Sequence, residues 1–224
     1  MAQEGSWSLD DAVAREREAR PPAEPREARP PMDWSLPFSW SQGALELSIA
    51  TGLVLVAAIL ALVANGAAWG DVGVEGASIE VRLEDARISF GGTQGGLDWN
   101  HQFMDDFDGI GQVRLAGTLF TVSLISLFVS AAVLGASIVV RTANVAGLAS
   151  LLGLIAVALL LTATILFPGG VERVWQDAIE TAQFEGASPD IDWGAGLIVA
   201  WFAVGAVALG LAGAFVAMRH DDVS

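Results

Sequence analysis

The sequence predicts an all-α membrane protein: a four-transmembrane-helix bundle that carries a small β-rich extracellular cap. Two compositional facts support this. Apolar residues make up 53% of the 224-residue chain, and the mean hydropathy is +0.53, too high for an ordinary soluble domain. These residues are also gathered into four stretches, each longer than the roughly 18–20 residues that cross a bilayer core. A third observation gives the cap. Between the first two stretches, apolar and charged residues alternate with the period of a strand.

Residues 1–43 precede the first span and read as a cytoplasmic tail. Ser8 and Asp11 open a possible short helix whose alternating Arg15, Glu16, Arg17 and Glu18 form a solvated face. Six prolines (Pro21, Pro22, Pro25, Pro30, Pro31 and Pro37) then predict an extended, largely disordered tether. Trp34, Phe38 and Trp40 follow, at the place where aromatics settle among lipid headgroups. The first apolar stretch is too long for a signal peptide and starts more than 40 residues in.

The membrane domain is expected over 44–219, followed by a short tail at 220–224. Its spans fall at about 47–69, 115–140, 143–167 and 195–218, with no charge inside any of them. Outer loops occupy 70–114 and 168–194, and Arg141 lies in the tight turn between the second and third spans. Seven arginines, including Arg141 and Arg219, would share one side of the membrane, against four (Arg82, Arg87, Arg114 and Arg173) on the other. The excess of positive charge places both termini in the cytoplasm of a multi-pass cell-membrane protein.

In the first outer loop, Ile79, Val81 and Leu83 alternate with Glu80, Arg82 and Glu84. Ile88 and Phe90 resume the pattern, which predicts a small antiparallel sheet. Gly91, Gly92, Gly95 and Gly96 read as a turn-rich stretch. In the second outer loop, Val171, Val174, Trp175, Ala178, Ile179 and Ala182 have helical spacing before Gly186. They predict a short amphipathic helix lying on the sheet or at the membrane surface.

Charge and residue types narrow the chemistry. The formal net charge is −15, with 26 acids against 11 bases, all of them arginine. No basic patch is available for nucleic acid. Cysteine is absent, which excludes disulfides and thiolate chemistry. His101 and His220 are expected on opposite sides of the membrane, too far apart to share a metal. Asp105-Asp106-Phe107-Asp108-Gly109 resembles the acidic turn of a calcium loop, but Met104 and Leu115 stand where two of its ligands belong. Asp98, Asp105, Asp106 and Asp108 are the candidate ligands for a loosely held cation, against the alternative of a hydrated acidic rim. No cofactor is implied.

Within the spans, small and polar residues at four-residue spacing are the candidate helix-packing positions. These are Ala57, Ala61 and Asn65 in the first span, Ser126 and Ser130 in the second, and Ala206, Gly210 and Ala214 in the fourth. In lipid, close backbone approach through such residues drives association, within a bundle or between copies. Trp99 and Trp175 are the candidate partner contacts.

Trp69 ends the first span, Gly96-Leu97-Asp98-Trp99 approximates a Gly-Leu-Trp, and Arg114 precedes the second span. In these residues and in its layout over about 45–218, the chain resembles the claudin and peripheral-myelin-protein superfamily. That family has four spans, a sheet-forming first outer loop, a smaller second one and a tight inner turn. The family's two loop cysteines are missing here, and the proline-rich N-terminus is foreign to it. The resemblance implies adhesion, barrier formation or an auxiliary role to another membrane protein.

The leading expectation is therefore a non-catalytic structural, adhesive or accessory subunit. Its partners would be membrane lipid and either another membrane protein or a second copy of itself. One alternative is a channel or transporter component with Ser126, Ser130, Asn65 and Thr162 along a polar path. Another is an enzyme with an outward site near Asp98, His101, Asp105 and Asp106.

Overall fold

A helix must satisfy its own terminal carbonyls, and the first helix does so through the residues that leave it. In the computed structural model, which describes residues 42–74, 77–90, 93–140, 143–181 and 190–221, helix α1 runs Gln42–Gly66. The Ala67 N–H donates to the Val63 and Ala64 carbonyls at 3.1 and 3.3 Å. The Trp69 indole N–H returns to Ala64 O at 2.8 Å, and Arg82 Nη1 reaches Gly66 O at 3.1 Å. The chain then enters the sheet already fixed to the helix end.

Five strands form one antiparallel sheet: β1 (Gly70–Val74), β2 (Ala77–Val81), β3 (Asp85–Phe90), β4 (Thr93–Asp98) and β5 (Asp190–Trp193). Their order is β4-β3-β2-β1-β5. Successive side chains on a strand point to opposite faces. One face carries Val72, Ile79, Val81 and Ala86, all buried, with Ile191, Trp193 and Leu97 packed beside them. The other carries Asp71, Glu80, Arg87 and Asp192, with Asp71 directly opposite both Glu80 and Asp192.

Two strands differ from the sequence expectation. Residues 93–98 form β4 although Gly95 and Gly96 read as turn, because pairing with β3 over Asp85–Phe90 supplies their backbone partners. The fifth strand comes from the second outer loop and pairs with β1 from Gly70↔Trp193 to Gly73↔Asp190.

A short 3₁₀ helix, Gln102–Asp106, follows the sheet, its first turn closed by the Phe103 N–H donating to His101 Nδ1 at 3.2 Å. Then come α2 (Ile110–Val140), α3 (Ala143–Thr181) and α4 (Ala195–Asp221). Among the described residues, four helices are long and apolar enough to cross a membrane.

The amphipathic segment expected after Phe167 is not a separate helix. It continues α3 through Pro168, so α3 has 39 residues and is about 58 Å long. Proline removes one helical donor, from the Thr164 carbonyl, but Val171, Val174 and Ile179 beyond it are buried and hold the continuation in place.

The helices pair as α1 with α4 and α2 with α3. Ser123 and Ser130 of α2 donate to the Ala156 and Ala149 carbonyls of α3 at 3.1 and 2.8 Å, which sets the two helices antiparallel. At their cap end, Gly109 has φ +88°, and a Cβ there would lie 2.6 Å from Gly170 O. Gly170 itself faces Val113 with no room for a side chain. On the other pair, a Cβ on Gly210 of α4 would meet Val54 and the Ala50 carbonyl of α1 at 3.0 and 3.1 Å.

Trp69 joins the parts. Its side chain is fully buried and meets Phe120 of α2 and Phe167 of α3 edge-on, with centroids at 5.5 and 5.1 Å. It also lies against Gly196 at the start of α4. Its backbone donates to Val81 O and accepts from Gly194 N, both at 2.7 Å. One residue thus ties four helices and two strands into a single core. The N-terminal helix, the tether, the headgroup aromatics, the Arg141 turn, the Gly91-Gly92 turn and the His220 side chain lie outside what is described.

Candidate functional site: the seam between sheet and helices

Where the sheet meets the ends of α1 and α2, it leaves a cavity of about 460 Å³. Four segments build it. The end of α1 contributes Asn65, the β2–β3 turn contributes Leu83 and Glu84, and the β4 exit contributes Asp98, Trp99 and Asn100. The first turns of α2 close it with Arg114, Gly117, Thr118, Thr121 and Val122.

Arg114 organises this region. Its Nε donates to Trp99 O at 2.7 Å, its Nη1 to Asp105 Oδ1 at 2.6 Å and its Nη2 to His101 O at 3.4 Å. A planar guanidinium suits such a fork of acceptors, which a point-like ammonium would not satisfy. Trp99 is 1% exposed and donates its indole N–H to Arg82 O at 2.8 Å. The β4 exit and the β2–β3 turn are thereby fastened together. Asn65 reaches across with its Nδ2 3.3 Å from Glu84 Oε1.

The candidate cation ligands do not converge. Asp105 is paired with Arg114, Asp98 accepts from the Asn100 N–H at 2.8 Å, and Asp106 is exposed. Asp108 faces a second, more polar cavity of about 380 Å³ with Arg173, Asp177 and Glu180, where its backbone N–H donates to Asp177 Oδ2 at 3.0 Å. Among the described residues, no group of three or more His, Asp or Glu side chains could hold a metal ion. His101 is exposed, with Nδ1 turned to its own helix start.

The packing candidates fall in different places. Ala57, Ala61, Ser130, Gly210 and Ala214 are buried, whereas Asn65, Ser126 and Ala206 are half-buried. Ser126 donates within its own helix, to Val122 O, and Thr162 does the same to Ala158 O. Neither cavity is lined by Ser126, Ser130 or Thr162. Trp175 is half-buried, and its indole N–H has no acceptor among the described residues.

Sequence reasoning missed Glu84, Thr118 and Thr121 as wall residues and Gly109 and Gly170 as a contact pair. Nothing in local spacing marks them, because each owes its role to a distant element. No family model and no curated protein matches the chain.

Proposed function

We propose that this chain is a non-catalytic, multi-pass membrane protein, a structural or accessory subunit that acts through a rigid extracellular cap. One observation carries the membrane part. In each of the four long helices, only 33% of the most apolar stretch is buried. Leu, Ile, Val and Phe side chains therefore face outward on every helix, among them Ile49, Ile125, Ile165 and Phe202. So much exposed apolar surface requires an apolar solvent. Four crossings then put both termini on one side, and the arginine excess makes that side the cytoplasm.

The rigidity of the cap supports the accessory role. Trp69 and Arg114 spend donors fastening the cap to α1 and α2, Trp99 spends its own joining the β4 exit to the β2–β3 turn, and the sheet's charged face is turned away from that core. Such a surface suits docking, since it needs no ordering on contact. The same three residues carry the resemblance to the claudin and peripheral-myelin-protein superfamily, which is consistent with a contact-making role.

Crosslinking in native membranes followed by purification in mild detergent tests the reading. The expected result is a discrete co-purifying membrane protein, or a defined oligomer, linked through the cap. A lone monomer that crosslinks to nothing would count against it.

A further inference from the structure

We propose that the free edge of strand β4 pairs, antiparallel, with β4 of a second copy anchored in a facing membrane. This deepens the reading above and rests on its membrane part. Strand β4 (Thr93–Asp98) is one margin of the sheet. Among the described residues, its backbone bonds to β3 and, at Asp98 O, to the His101 N–H at 2.9 Å. On the other side its amides and carbonyls have no strand beside them, and such an edge is a template for another strand. Gly95 and Gly96 are exposed, and a Cβ on either would meet no atom within 4 Å. A second backbone can therefore come to hydrogen-bonding distance along the middle of the strand.

Charge selects the partner. Residues directly opposite in a ladder point to one face, so self-pairing joins positions of like parity. For β5, the other margin, both registers that pair three of its four residues set aspartate against aspartate: Asp190 against Asp192, or Asp192 against itself. That margin is guarded against its own copy. For β4, the two registers that pair five of its six residues are centred on Gly95 or Gly96. Asp98, the strand's one charge, then lies beyond the paired stretch or opposite Gln94. Strand β4 thus lacks the lysine, proline or opposed acids that blunt an edge. An amide is a donor for a carboxylate, which favours the register centred on Gly96.

Direction places that copy. The sheet meets the helix ends along one row of strand ends. There the Trp69 N–H donates to Val81 O and the Gly194 N–H to Trp69 O, both at 2.7 Å, Arg82 Nη1 reaches Gly66 O, and Arg114 Nε donates to Trp99 O. The far ends of the strands, at Val74, Phe90 and Asp190, lead away from the helices. Strand β4 therefore runs from Thr93 towards its own membrane, as it does in every copy. Two such strands are antiparallel only when their membranes face each other. In one membrane they would meet parallel, the less stable pairing. A six-residue edge buries little area, so arrays of copies across the gap supply the strength.

The chain lacks cysteine, and opposite Cα atoms in an antiparallel pair are about 4.5–5.5 Å apart, within disulfide reach. The test uses full-length Gly96→Cys in two populations of phosphatidylcholine vesicles, each with its own tag, mixed and mildly oxidised. We expect disulfide dimers that contain both tags, roughly tenfold over Ser78→Cys, because pairing raises the local thiol concentration. Ser78 is exposed on the charged face but lies on β2, away from the edge. Vesicles carrying the unaltered protein should cluster with one another and leave empty vesicles free. Gly96→Asp and Gly96→Lys should each cut clustering roughly fivefold by setting like charges opposite, and mixing the two should restore it. The open space at Gly96 accommodates these side chains, and circular dichroism checks the fold. Mixed-tag dimers no more abundant than with Ser78→Cys, dimers of one tag only, clustering with empty vesicles, undiminished clustering of Gly96→Asp, or a mixture that stays dispersed would each overturn the proposal. Failure of the chain to enter vesicles at all would instead remove the membrane reading beneath it.

Discussion

Trp69 shows how much of this architecture depends on one side chain. Its ring fills the junction of all four helices, and its indole N–H caps α1. Trp69→Ala should lower stability by about 3–5 kcal/mol, from lost burial plus an unfilled cavity. Trp69→Phe keeps most of the ring and loses the capping donor, at a cost of about 1–3 kcal/mol for the unsatisfied carbonyl plus some packing. Thermal unfolding in detergent should rank wild type, Phe and Ala in that order; equal midpoints for Phe and Ala would deny the ring its packing role. A glycine pair gives a sharper contrast. Gly109 has positive φ and no space for a Cβ, so Gly109→Ala should cost about 1–3 kcal/mol. Gly111, two residues on inside α2, has open space around it, so Gly111→Ala should be neutral or stabilise by up to about 1 kcal/mol. If both substitutions behave alike in the same melt, the α2–α3 contact at Gly170 is misplaced. Only the first of these residues was visible in the sequence as significant, through the position of a tryptophan at a span end. Gly109 looked like part of an acidic turn, because its constraint comes from Gly170, 61 positions away.

Among the elements, the sheet is the one under electrostatic load. Asp71 faces Glu80 on one side and Asp192 on the other, and like charges directly opposite destabilise a ladder. Arg82 and Arg87 relieve Glu80 and Asp85, but neither is paired with Asp71 or Asp192. Asp71→Asn should therefore stabilise the cap by roughly 0.2–1 kcal/mol. Raising salt from low to high should stabilise wild type more than the variant, since exposed repulsion is screened. Hydrogen exchange at β1 and β5 would read both effects, and faster exchange in Asp71→Asn would contradict them. The sheet also shows where sequence patterning stops being informative. Strands β2 and β3 were legible because Ile79, Val81 and Ile88 alternate with charged residues. Strand β4 was not, since Gly95 and Gly96 carry no side chains to alternate. Strand β5 is four residues long, set in an acidic segment, and gains its identity from pairing with β1. Similarly, Pro168-Gly169-Gly170 reads as a stop, yet α3 continues because burial of Val171 and Val174 outweighs one lost hydrogen bond.

At the scale of the whole molecule, the four apolar stretches were the most legible feature, because length and charge-free composition identify a long helix without knowledge of its neighbours. The seam cavity was the least legible. It needs Asn65, Glu84, Asp98 and Thr121 together, and these belong to four different segments. The account as a whole depends on the bilayer separating the sheet from the chain ends. The absence of native cysteine allows a direct test with a single engineered thiol. Ser78 is exposed on β2, and Ser6 lies near the N-terminus. In intact cells, a membrane-impermeant maleimide should label Ser78→Cys at once and Ser6→Cys only after the membrane is opened. Labelling of both without permeabilisation, or recovery of the chain in the soluble fraction, would contradict the account.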